Sequence, residues 1–510
     1  MPRTIAVVDI GTSAVRLAVA EAREDGIRVL ETLSQGLSLG RDTFAGGSLS
    51  ASAVEEAVTV LRSYRRKLSE YGITDPADVR VVATNAVRES SNRLAFIDRV
   101  FVATGFAVEP IEDAEIHRIT YRGVKTLLDT HPELREGNVL ASEVGGGSTE
   151  LLLFSGGNVA YSTSLRLGSL RLRQELRALR SNPARYFEVM SGQVRRTLEE
   201  LADDLAETPP GTLLAMGGDM RFAARELLGD WDAETLARVP VAELEELARA
   251  ILHKPVAEVV THYKRTFPEA ETLGPALLAD VEQAKLFGLK EVLVTRVNLR
   301  DGLLRELAGG EPWDAGLREQ VVRSAKALGN HYDVDLPHAE RVAATASELF
   351  AQLRRQHRLD ERYEVFLHTA ALLHEAGRYI GTGSYHKHSM YVILHGELFG
   401  LSRAESQLVG LTARYHRRAS PKATHPVYGV LDREGRTAVM VMASILRVAA
   451  ALNAARDGRE RRFSTTVADG RMTVWVRGFG DLAAEQLAVS RIGSLFKDTF
   501  GLSVALRSAS

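Results

Sequence analysis

The sequence contains no cysteine and has almost no net charge. The absence of cysteine excludes disulfides, thiolate metal sites and a cysteine nucleophile. A formal net charge of −2 over 510 residues gives no basic field of the kind that binds nucleic acid, so local arginines would have to hold any polyanion. The chain also lacks the pattern of a signal peptide and a run long enough to span a membrane. We therefore expect a cytoplasmic protein that binds neither nucleic acid nor membranes.

The pattern of apolar residues divides the chain into regions. Hydrophobic content of 45% and charged content of 25% are those of an ordinary globular protein, and the length allows three or four domains. Strand and helix patterns alternate up to a glycine-containing linker at 309–313. Strand patterns then almost vanish between 317 and 456, and a hairpin pattern with an Asp-Gly turn follows. We predict four domains, 1–125, 126–308, 309–460 and 461–510.

A glycine loop between two apolar strands is the most informative stretch. It contains Glu143, Gly145, Gly146, Gly147, Ser148 and Glu150. Three consecutive glycines allow backbone N–H groups to crowd onto one anion because no Cβ stands in the way. The serine adds a hydroxyl donor, and the two flanking carboxylates suit a divalent cation. The stretch therefore predicts metal-assisted phosphate chemistry, and a glycine-rich hairpin turn without a ligand is the alternative.

The N-terminal segment repeats this layout. An apolar strand ends on Asp9, the loop Gly11, Thr12 and Ser13 follows, and an alternating strand leaves it. Two related loops indicate a duplicated half-domain in which each half offers one loop to a shared cleft. A strand follows each loop, whereas a helix follows the loop of a P-loop or a dinucleotide fingerprint. A third glycine turn, Gly217-Gly218, follows another predicted strand.

Two charged residues stand at the starts of predicted helices. Arg88 lies just after a short buried strand, where ligand contacts are common in α/β sheets, and a surface salt bridge is the alternative. Glu115 lies in the first turn of the next helix. Acids are common there because they offset the helix macrodipole, so a catalytic role and a structural role both remain open at this point.

Taken in order, these motifs resemble the Ppx/GppA family, the exopolyphosphatases and guanosine pentaphosphate phosphohydrolases. The motifs are those at 9–12, 82–88, 145–150, 217–218 and 299–302, together with the acidic helix start near Glu115. The resemblance implies an α/β fold with two ribonuclease-H-like domains of the actin, sugar-kinase and Hsp70 type around a cleft. It also implies an all-α, HD-like third domain and a homodimer. The hairpin pattern near the C-terminus, with the helix and strand patterns after it, predicts a small α+β C-terminal unit.

The resemblance assigns roles to individual residues. Catalytic roles fall to Glu115, which would orient or deprotonate the attacking water, and to Glu150 and Arg88. Asp9, Glu143 and Glu150 would hold Mg²⁺ or Mn²⁺. The positions that would bind phosphate are Gly11, Thr12, Ser13, Gly145, Gly146, Gly147, Ser148, Gly217 and Gly218. The implied substrates are inorganic polyphosphate and guanosine penta- or tetraphosphate, whose charge demands cations and backbone donors more than a strong nucleophile.

Four positions differ from the usual pattern of the family, and they keep a second interpretation open. They are Ala14, Ile116, Glu143 and Asp219. The family usually carries adjacent glutamates at the acidic helix start, so Ile116 replaces the second of the pair. We expect a metal-dependent exopolyphosphatase, with pppGpp hydrolysis as a candidate second activity, in which Glu115→Gln abolishes hydrolysis and Glu143→Asp raises it. A catalytically weakened sensor of polyphosphate or (p)ppGpp is the alternative, and a kinase of the same fold would need an adenosine pocket.

The predicted third domain carries histidines where an HD domain binds metal. His338 and His374 fall at such positions, but Glu375 replaces the expected aspartate, which argues against a working metal centre. A basic cluster in this domain could hold a polyanion or form a solvated helix face. It comprises His386, His388, His416, Arg417 and Arg418.

Overall fold

The computed structural model describes most of the chain in two compact units. The described residues are 3–23, 26–176, 183–232, 235–309, 313–396, 398–417, 419–457, 462–477, 482–492 and 494–509. The units are Met1–Pro312 and Trp313–Ser510. Part of the predicted linker, 310–312, lies outside the described residues, and so does Arg418. The four predicted domain boundaries stay predictions.

The first unit begins with a five-stranded sheet in the order β3-β2-β1-β4-β5. Its strands are β1 (Arg3–Ile10), β2 (Ala14–Arg23), β3 (Gly26–Gly36), β4 (Val79–Ala83) and β5 (Val108–Pro110). Strands β1, β2 and β3 form an antiparallel meander, whereas β4 and β5 run parallel to β1. Side chains alternate along β1, so Ile5 and Val7 pack on one face while Val8 and Ile10 pack on the other. Both faces of the sheet are therefore buried.

A second sheet in the same unit repeats this plan. Its strands are β6 (Asn138–Val144), β7 (Thr149–Ser155), β8 (Asn158–Leu165), β9 (Thr212–Met216), β10 (Ala237–Pro240) and β11 (Glu291–Val294). Strands β6, β7 and β8 form the antiparallel meander. Strand β9 pairs parallel to β6, β11 pairs parallel to β9, and β10 adds an antiparallel edge. The repeat of a meander followed by two parallel strands confirms the duplicated α/β plan.

Helices connect and cover the two sheets. They are α1 (Leu39–Gly46), α2 (Ala51–Glu70), α3 (Asn85–Arg88), α4 (Arg93–Thr104), α5 (Asp113–Thr130), α6 (Pro132–Arg135), α7 (Ser169–Glu175), α8 (Pro183–Asp204), α9 (Gly218–Leu228), α10 (Val241–His253), α11 (Val256–Tyr263), α12 (Phe267–Leu286) and α13 (Leu299–Leu307). Helix α2 shows how the sequence sets their limits. The Ser50 side chain accepts a hydrogen bond from the Ala53 N–H, a typical N-cap. Leu61 and Leu68 then share the buried face at helical spacing.

The second unit is helical between 313 and 457, and within those described residues there is no strand. Its helices are α14 (Ala315–His331), α15 (Leu336–Gln352), α16 (Arg354–His357), α17 (Arg362–Leu373), α18 (Tyr385–His395), α19 (Arg403–Arg414), α20 (Pro426–Gly429) and α21 (Arg433–Leu452). Helix α21 is long and apolar enough to cross a membrane, contrary to the expectation from the sequence. Of its apolar window, 78% is buried within the unit, which is typical of a core helix.

The C-terminal part of this unit is a three-stranded sheet with two short helices. Its elements are β12 (Phe463–Ala468), β13 (Arg471–Arg477), α22 (Ala483–Ser490), α23 (Leu495–Phe500) and β14 (Ser503–Ala509). Strands β12 and β13 form the predicted hairpin, and β14 pairs parallel to β13. Asp469 and Gly470 both have positive φ, 49° and 66°, as a two-residue Asp-Gly turn requires.

Some histidines of the second unit pack into its core. His338 and His374 are 5% and 2% exposed, and the His374 Nδ1 lies 2.6 Å from the carbonyl oxygen of Ala371. Across the described parts of the chain, no group of three or more His, Asp or Glu side chains could hold a metal ion. The HD-like fold and the polyanion role of the basic cluster stay predictions.

Candidate active site

The loops between β1 and β2 and between β6 and β7 line one cleft of the first unit. The loops touch each other, since a Cβ on Gly146 would lie 2.6 Å from Cγ2 of Thr12. No side chain larger than hydrogen fits there without displacing the neighbouring loop. The prediction that each half offers a glycine loop to a shared cleft is confirmed.

The two loops are closed by the same hydrogen bond. The Gly11 N–H donates to the Ala14 carbonyl at 3.0 Å, and the Gly145 N–H donates to the Ser148 carbonyl at 2.8 Å. These two glycines therefore line the cleft, but their N–H groups are hydrogen-bonded within the turn. Their predicted place among the phosphate-binding residues stays a prediction, in which they would shape the loops and not donate N–H groups.

The donors that remain free come next in each loop. The backbone N–H groups of Thr12, Ser13, Gly146 and Gly147 make no hydrogen bond within the described residues. All four residues line the cleft. Two turns with successive free N–H groups can form an anion-binding concavity, so these four backbone groups are candidate donors for a phosphoryl group.

The third glycine turn also reaches the cleft. Gly217 has a φ of 96°, which glycine adopts without steric cost, and it leads directly into α9. A Cβ on Gly217 would lie 3.7 Å from Cγ of Glu143. The predicted positions Gly217 and Gly218 therefore line the cleft beside the carboxylate of Glu143.

Glu150 is an acid of the cleft whose carboxylate is held by three neighbouring side chains. Its Oε1 accepts a hydrogen bond from the Ser148 hydroxyl at 2.6 Å, and its Oε2 lies 3.0 Å from Nε2 of His117. The Ser164 hydroxyl also donates to Oε2. Burial raises the pKa of Glu150, but the three hydrogen bonds outweigh it and hold the pKa below its usual value. Glu150 is therefore an ionised carboxylate in a fixed position.

His117 is a site residue that sequence reasoning missed. It is 6% exposed on α5 and meets Glu150 from 33 residues away. A histidine on the apolar face of a helix gives no sign of its partner. The sequence offered one signal for His117, its position two residues after Glu115 in the helix whose acidic start had been recognised.

Arg88 is not among the residues that line the cleft, so its predicted contact with a phosphoryl group stays a prediction. Its guanidinium donates to the carbonyl oxygen of Ile111 at 2.9 Å and to Oδ1 of Asn85 at 2.6 Å, and it forms an ion pair with Asp113. Asn85 in turn donates to the hydroxyl of Ser148. Arg88 is thus a positioning residue at the far end of a hydrogen-bonded chain that leads to Glu150.

Glu115 also lies outside the residues that line the cleft. Its Oε1 pairs with Nη2 of Arg80 at 2.5 Å, and the same arginine pairs with Glu306 at 2.7 Å. The neighbouring residue, Ile116, lines the cleft instead. Because one residue is about 100° of rotation on a helix, a shift of one position decides which side chain faces the substrate. The predicted role of Glu115 as the base is therefore not supported by its position.

The three predicted metal ligands do not form one set. Asp9 pairs with Arg300 at 3.3 Å and with Arg16 at 3.8 Å, and both oxygens of Glu150 accept hydrogen bonds. Glu143 has no hydrogen bond from a described residue, and burial raises its pKa. Mg²⁺ commonly takes one or two carboxylates together with substrate phosphates. Glu143 and Asp9 fit that smaller set, and Glu150 does not.

Four arginines line the cleft, and sequence reasoning assigned a role to none of them. They are Arg16, Arg221, Arg265 and Arg300. Arg300 lies in the motif at 299–302, where the sequence offered a signal. The near-zero net charge had already indicated that local arginines must hold any polyanion, and these residues are the ones in place to do so.

Asp219 faces the same cleft, and we expect its replacement to stabilise the protein. Burial raises the pKa of Asp219 to about 6, against the opposing effect of Arg16 and Arg265. A raised acid pKa favours the protonated native state, so stability is lost as pH rises from about 4 to about 6 and stays lost above. Asp219→Asn should raise the free energy of unfolding at pH 8 by about 1–2 kcal/mol and leave it unchanged near pH 4.

Urea unfolding at the two pH values measures this effect. Asp230→Asn is the matched control because Asp230 is exposed just after α9. Equal gains from both substitutions, or a gain from Asp219→Asn that is the same at pH 4 and pH 8, would contradict the assignment.

Comparison with known proteins shows which family the chain belongs to. Residues 18–309 match the model of the Ppx/GppA phosphatase family, and residues 321–480 match that of Ppx/GppA phosphatase, domain III. The chain belongs to the Ppx/GppA phosphatase family. The resemblance predicted from the motifs is confirmed.

Two curated members of the Ppx/GppA family align along almost the whole chain. The guanosine-5'-triphosphate,3'-diphosphate pyrophosphatase of Aeromonas hydrophila is 27% identical over 475 residues, 92% of this chain and 91% of the relative. The protein of the same name from Vibrio atlanticus is 23% identical over 479 residues, 93% and 92% of the two chains. These relatives are phosphoanhydride hydrolases, the class of enzyme that the sequence predicts here.

A solved Ppx/GppA structure supports the fold. The crystal structure of an exopolyphosphatase from Cytophaga hutchinsonii aligns with a TM-score of 0.53 at 21% identity. It covers 61% of this chain and 100% of that chain. The likeness supports the two-sheet α/β plan that the actin-type resemblance implies.

Proposed function

We propose that this protein removes the terminal phosphoryl group of a polyanionic phosphate, either pppGpp or inorganic polyphosphate. The observation that carries the proposal is the pair of glycine turns, whose four free N–H groups share a cleft with the fixed carboxylate of Glu150. Relatives named for a guanosine pentaphosphate compound align along nearly the full chain, and a structural neighbour is named as an exopolyphosphatase. Both names support a phosphoanhydride substrate.

The residues of the cleft supply the chemistry in distinct ways. The free N–H groups of the two loops bind the oxygens of the terminal phosphoryl group and stabilise the charge that it develops. Glu150 accepts a hydrogen bond from a water molecule and orients it in line with the anhydride bond. The transition state of phosphoryl transfer is loose, so a carboxylate of low pKa is sufficient to receive the proton late. The arginines stabilise the shortened phosphate as it leaves.

A divalent cation is part of the proposal. Mg²⁺ or Mn²⁺, with Glu143 and Asp9 as ligands, would neutralise charge on the phosphoryl oxygens when bound. Family resemblance also supports two further proposals: a homodimer and an HD-like fold for the third domain. A cytoplasmic location stays a proposal.

A sensor of polyphosphate or (p)ppGpp is the second candidate. The observation that favours it is Ile116, an apolar side chain that lines the cleft where the family usually carries the second of two glutamates. Such a protein would bind the polyanion through the same N–H groups and arginines and hydrolyse it slowly or not at all.

Phosphate release by the purified full-length chain separates the two candidates. Long-chain polyphosphate, tripolyphosphate and pppGpp are offered side by side with Mg²⁺, with Mn²⁺ and with EDTA. We expect release from at least one substrate, and more of it with a cation than in EDTA. Tight binding by calorimetry without release from any substrate would overturn the hydrolase and support the sensor.

A further inference from the structure

Arg221 has an unusual position among the cleft arginines. It lies in the first turn of α9, directly after the third glycine turn, and lines the cleft. Its Nη1 atom is buried and has no hydrogen-bond partner within the described residues. A buried donor without a partner is rare in folded proteins and indicates a missing ligand or water.

The other three cleft arginines already have partners. Arg16 and Arg300 both pair with Asp9, and Arg265 stacks over the ring of Phe222 at 4.5 Å. In the described part of the chain, Arg221 forms no ion pair within 4 Å and no aromatic stack. It is therefore the cleft arginine whose guanidinium is still available for a ligand.

The charges that surround Arg221 point to an anion. The negative charges of Glu143 and Asp301 stabilise the charged guanidinium of Arg221, whereas the positive charges of Arg16 and Arg300 destabilise it. A guanidinium stays protonated in a protein, and leaving a buried charge without a close partner is costly. Planar guanidinium groups match phosphate oxygens through two parallel hydrogen bonds. An anionic oxygen beside the unpartnered Nη1 of Arg221 would relieve this cost.

The position of Arg221 also indicates which phosphoryl group it meets. The first two loops touch each other at Thr12 and Gly146, so their free N–H groups are candidates to bind one and the same phosphoryl group. Arg221 belongs to the third turn, on the side of Gly217 and Glu143. It would thus contact the neighbouring phosphoryl group of the same chain.

We propose that Arg221 binds the second phosphoryl group of the substrate and makes the cleft select chains of two or more phosphates over orthophosphate, even without a divalent cation. The proposal rests on the phosphate-binding cleft of the proposed function, and it adds a specificity-determining residue to it.

Calorimetry with the full-length chain in EDTA tests the proposal, with sodium tripolyphosphate and orthophosphate as probes. We expect tripolyphosphate to bind the unmodified protein more tightly than orthophosphate. Arg221→Met should weaken tripolyphosphate binding at least about tenfold, as expected for a charged hydrogen bond, and leave orthophosphate binding unchanged. Arg221→Lys should restore most of the lost affinity because it keeps the charge. Arg225→Met is the matched control, since Arg225 is exposed on the same helix.

Three results would overturn the proposal. They are equal affinity of the unmodified protein for the two probes, unchanged tripolyphosphate binding by Arg221→Met, and a lower melting temperature for both Arg221 variants, which would make the residue structural. Binding in EDTA is measured without turnover, so the test is separate from that of the hydrolase. If the protein hydrolyses a substrate but its tripolyphosphate binding in EDTA does not depend on Arg221, this inference alone is wrong. If that binding depends on Arg221 but no substrate is hydrolysed, the proposed activity alone is wrong.

Discussion

Glu150→Gln is expected to lower kcat about 10³-fold with either phosphoanhydride substrate. The glutamine keeps the size of the side chain but removes the charge that orients water and receives its proton, a contribution of 10²–10⁴-fold in general base catalysis (roughly 10³ at its centre). The amide also presents an N–H₂ group to His117 or to the serine hydroxyls, where the carboxylate accepts hydrogen bonds. Steady-state phosphate release measures the loss.

Binding of tripolyphosphate provides the internal control for this experiment. Removing a negative charge from the cleft should leave the affinity unchanged or raise it, so a loss of kcat with intact binding assigns Glu150 to the chemical step. Glu200→Gln, at an exposed position of α8, should retain full activity. Turnover of Glu150→Gln within threefold of the unmodified protein would remove Glu150 from the mechanism.

Ile116→Glu is expected to raise kcat about tenfold. The side chain at 116 lines the cleft and is 6% exposed, so a glutamate there would place a second carboxylate near Glu150. A buried carboxylate close to another has a raised pKa, and a base whose pKa approaches neutrality is more effective in proton transfer. The gain should therefore be larger at pH 8 than at pH 6. Phosphate release at both pH values measures it.

Two matched variants decide whether the charge at 116 is responsible. Ile116→Gln has the same size without the charge and should show no gain. Glu115→Gln removes the acid that pairs with Arg80 and should keep turnover within threefold, contrary to the expectation from sequence alone. A folded Ile116→Glu protein without any gain would mean that Glu150 alone suffices.

The glycine turns could be predicted from the sequence because their chemistry is local. Glycine at consecutive positions, a hydroxyl and a flanking strand are visible in a short window. The duplicated topology followed from the same motif read twice, at 9–13 and at 143–150. Even so, the sequence could not predict that the N–H groups of Gly11 and Gly145 would be hydrogen-bonded within their turns, since that depends on which type of turn forms.

The remaining errors arose where distance or register decides the result. The contact between His117 and Glu150 joins α5 to β7, and the pair of Asp9 and Arg300 joins residues 291 positions apart. Such contacts depend on how the elements pack. Glu115 was placed in the site because an acidic helix start was recognised, while the orientation of the helix puts the next residue there.

If Asp9 binds the proposed cation, its pairing with two arginines would couple the binding of unlike ions. Arg300 and Arg16 lie 3.3 Å and 3.8 Å from the same carboxylate oxygen, so Asp9 occupies them when no ligand is present. A cation that draws Asp9 away frees both guanidinium groups for an anion, and an anion that engages them frees Asp9 for a cation. By linkage, each ligand must then tighten the other by the same factor. The cleft would show positive heterotropic cooperativity, in which the cation raises the affinity for polyphosphate and polyphosphate raises the affinity for the cation.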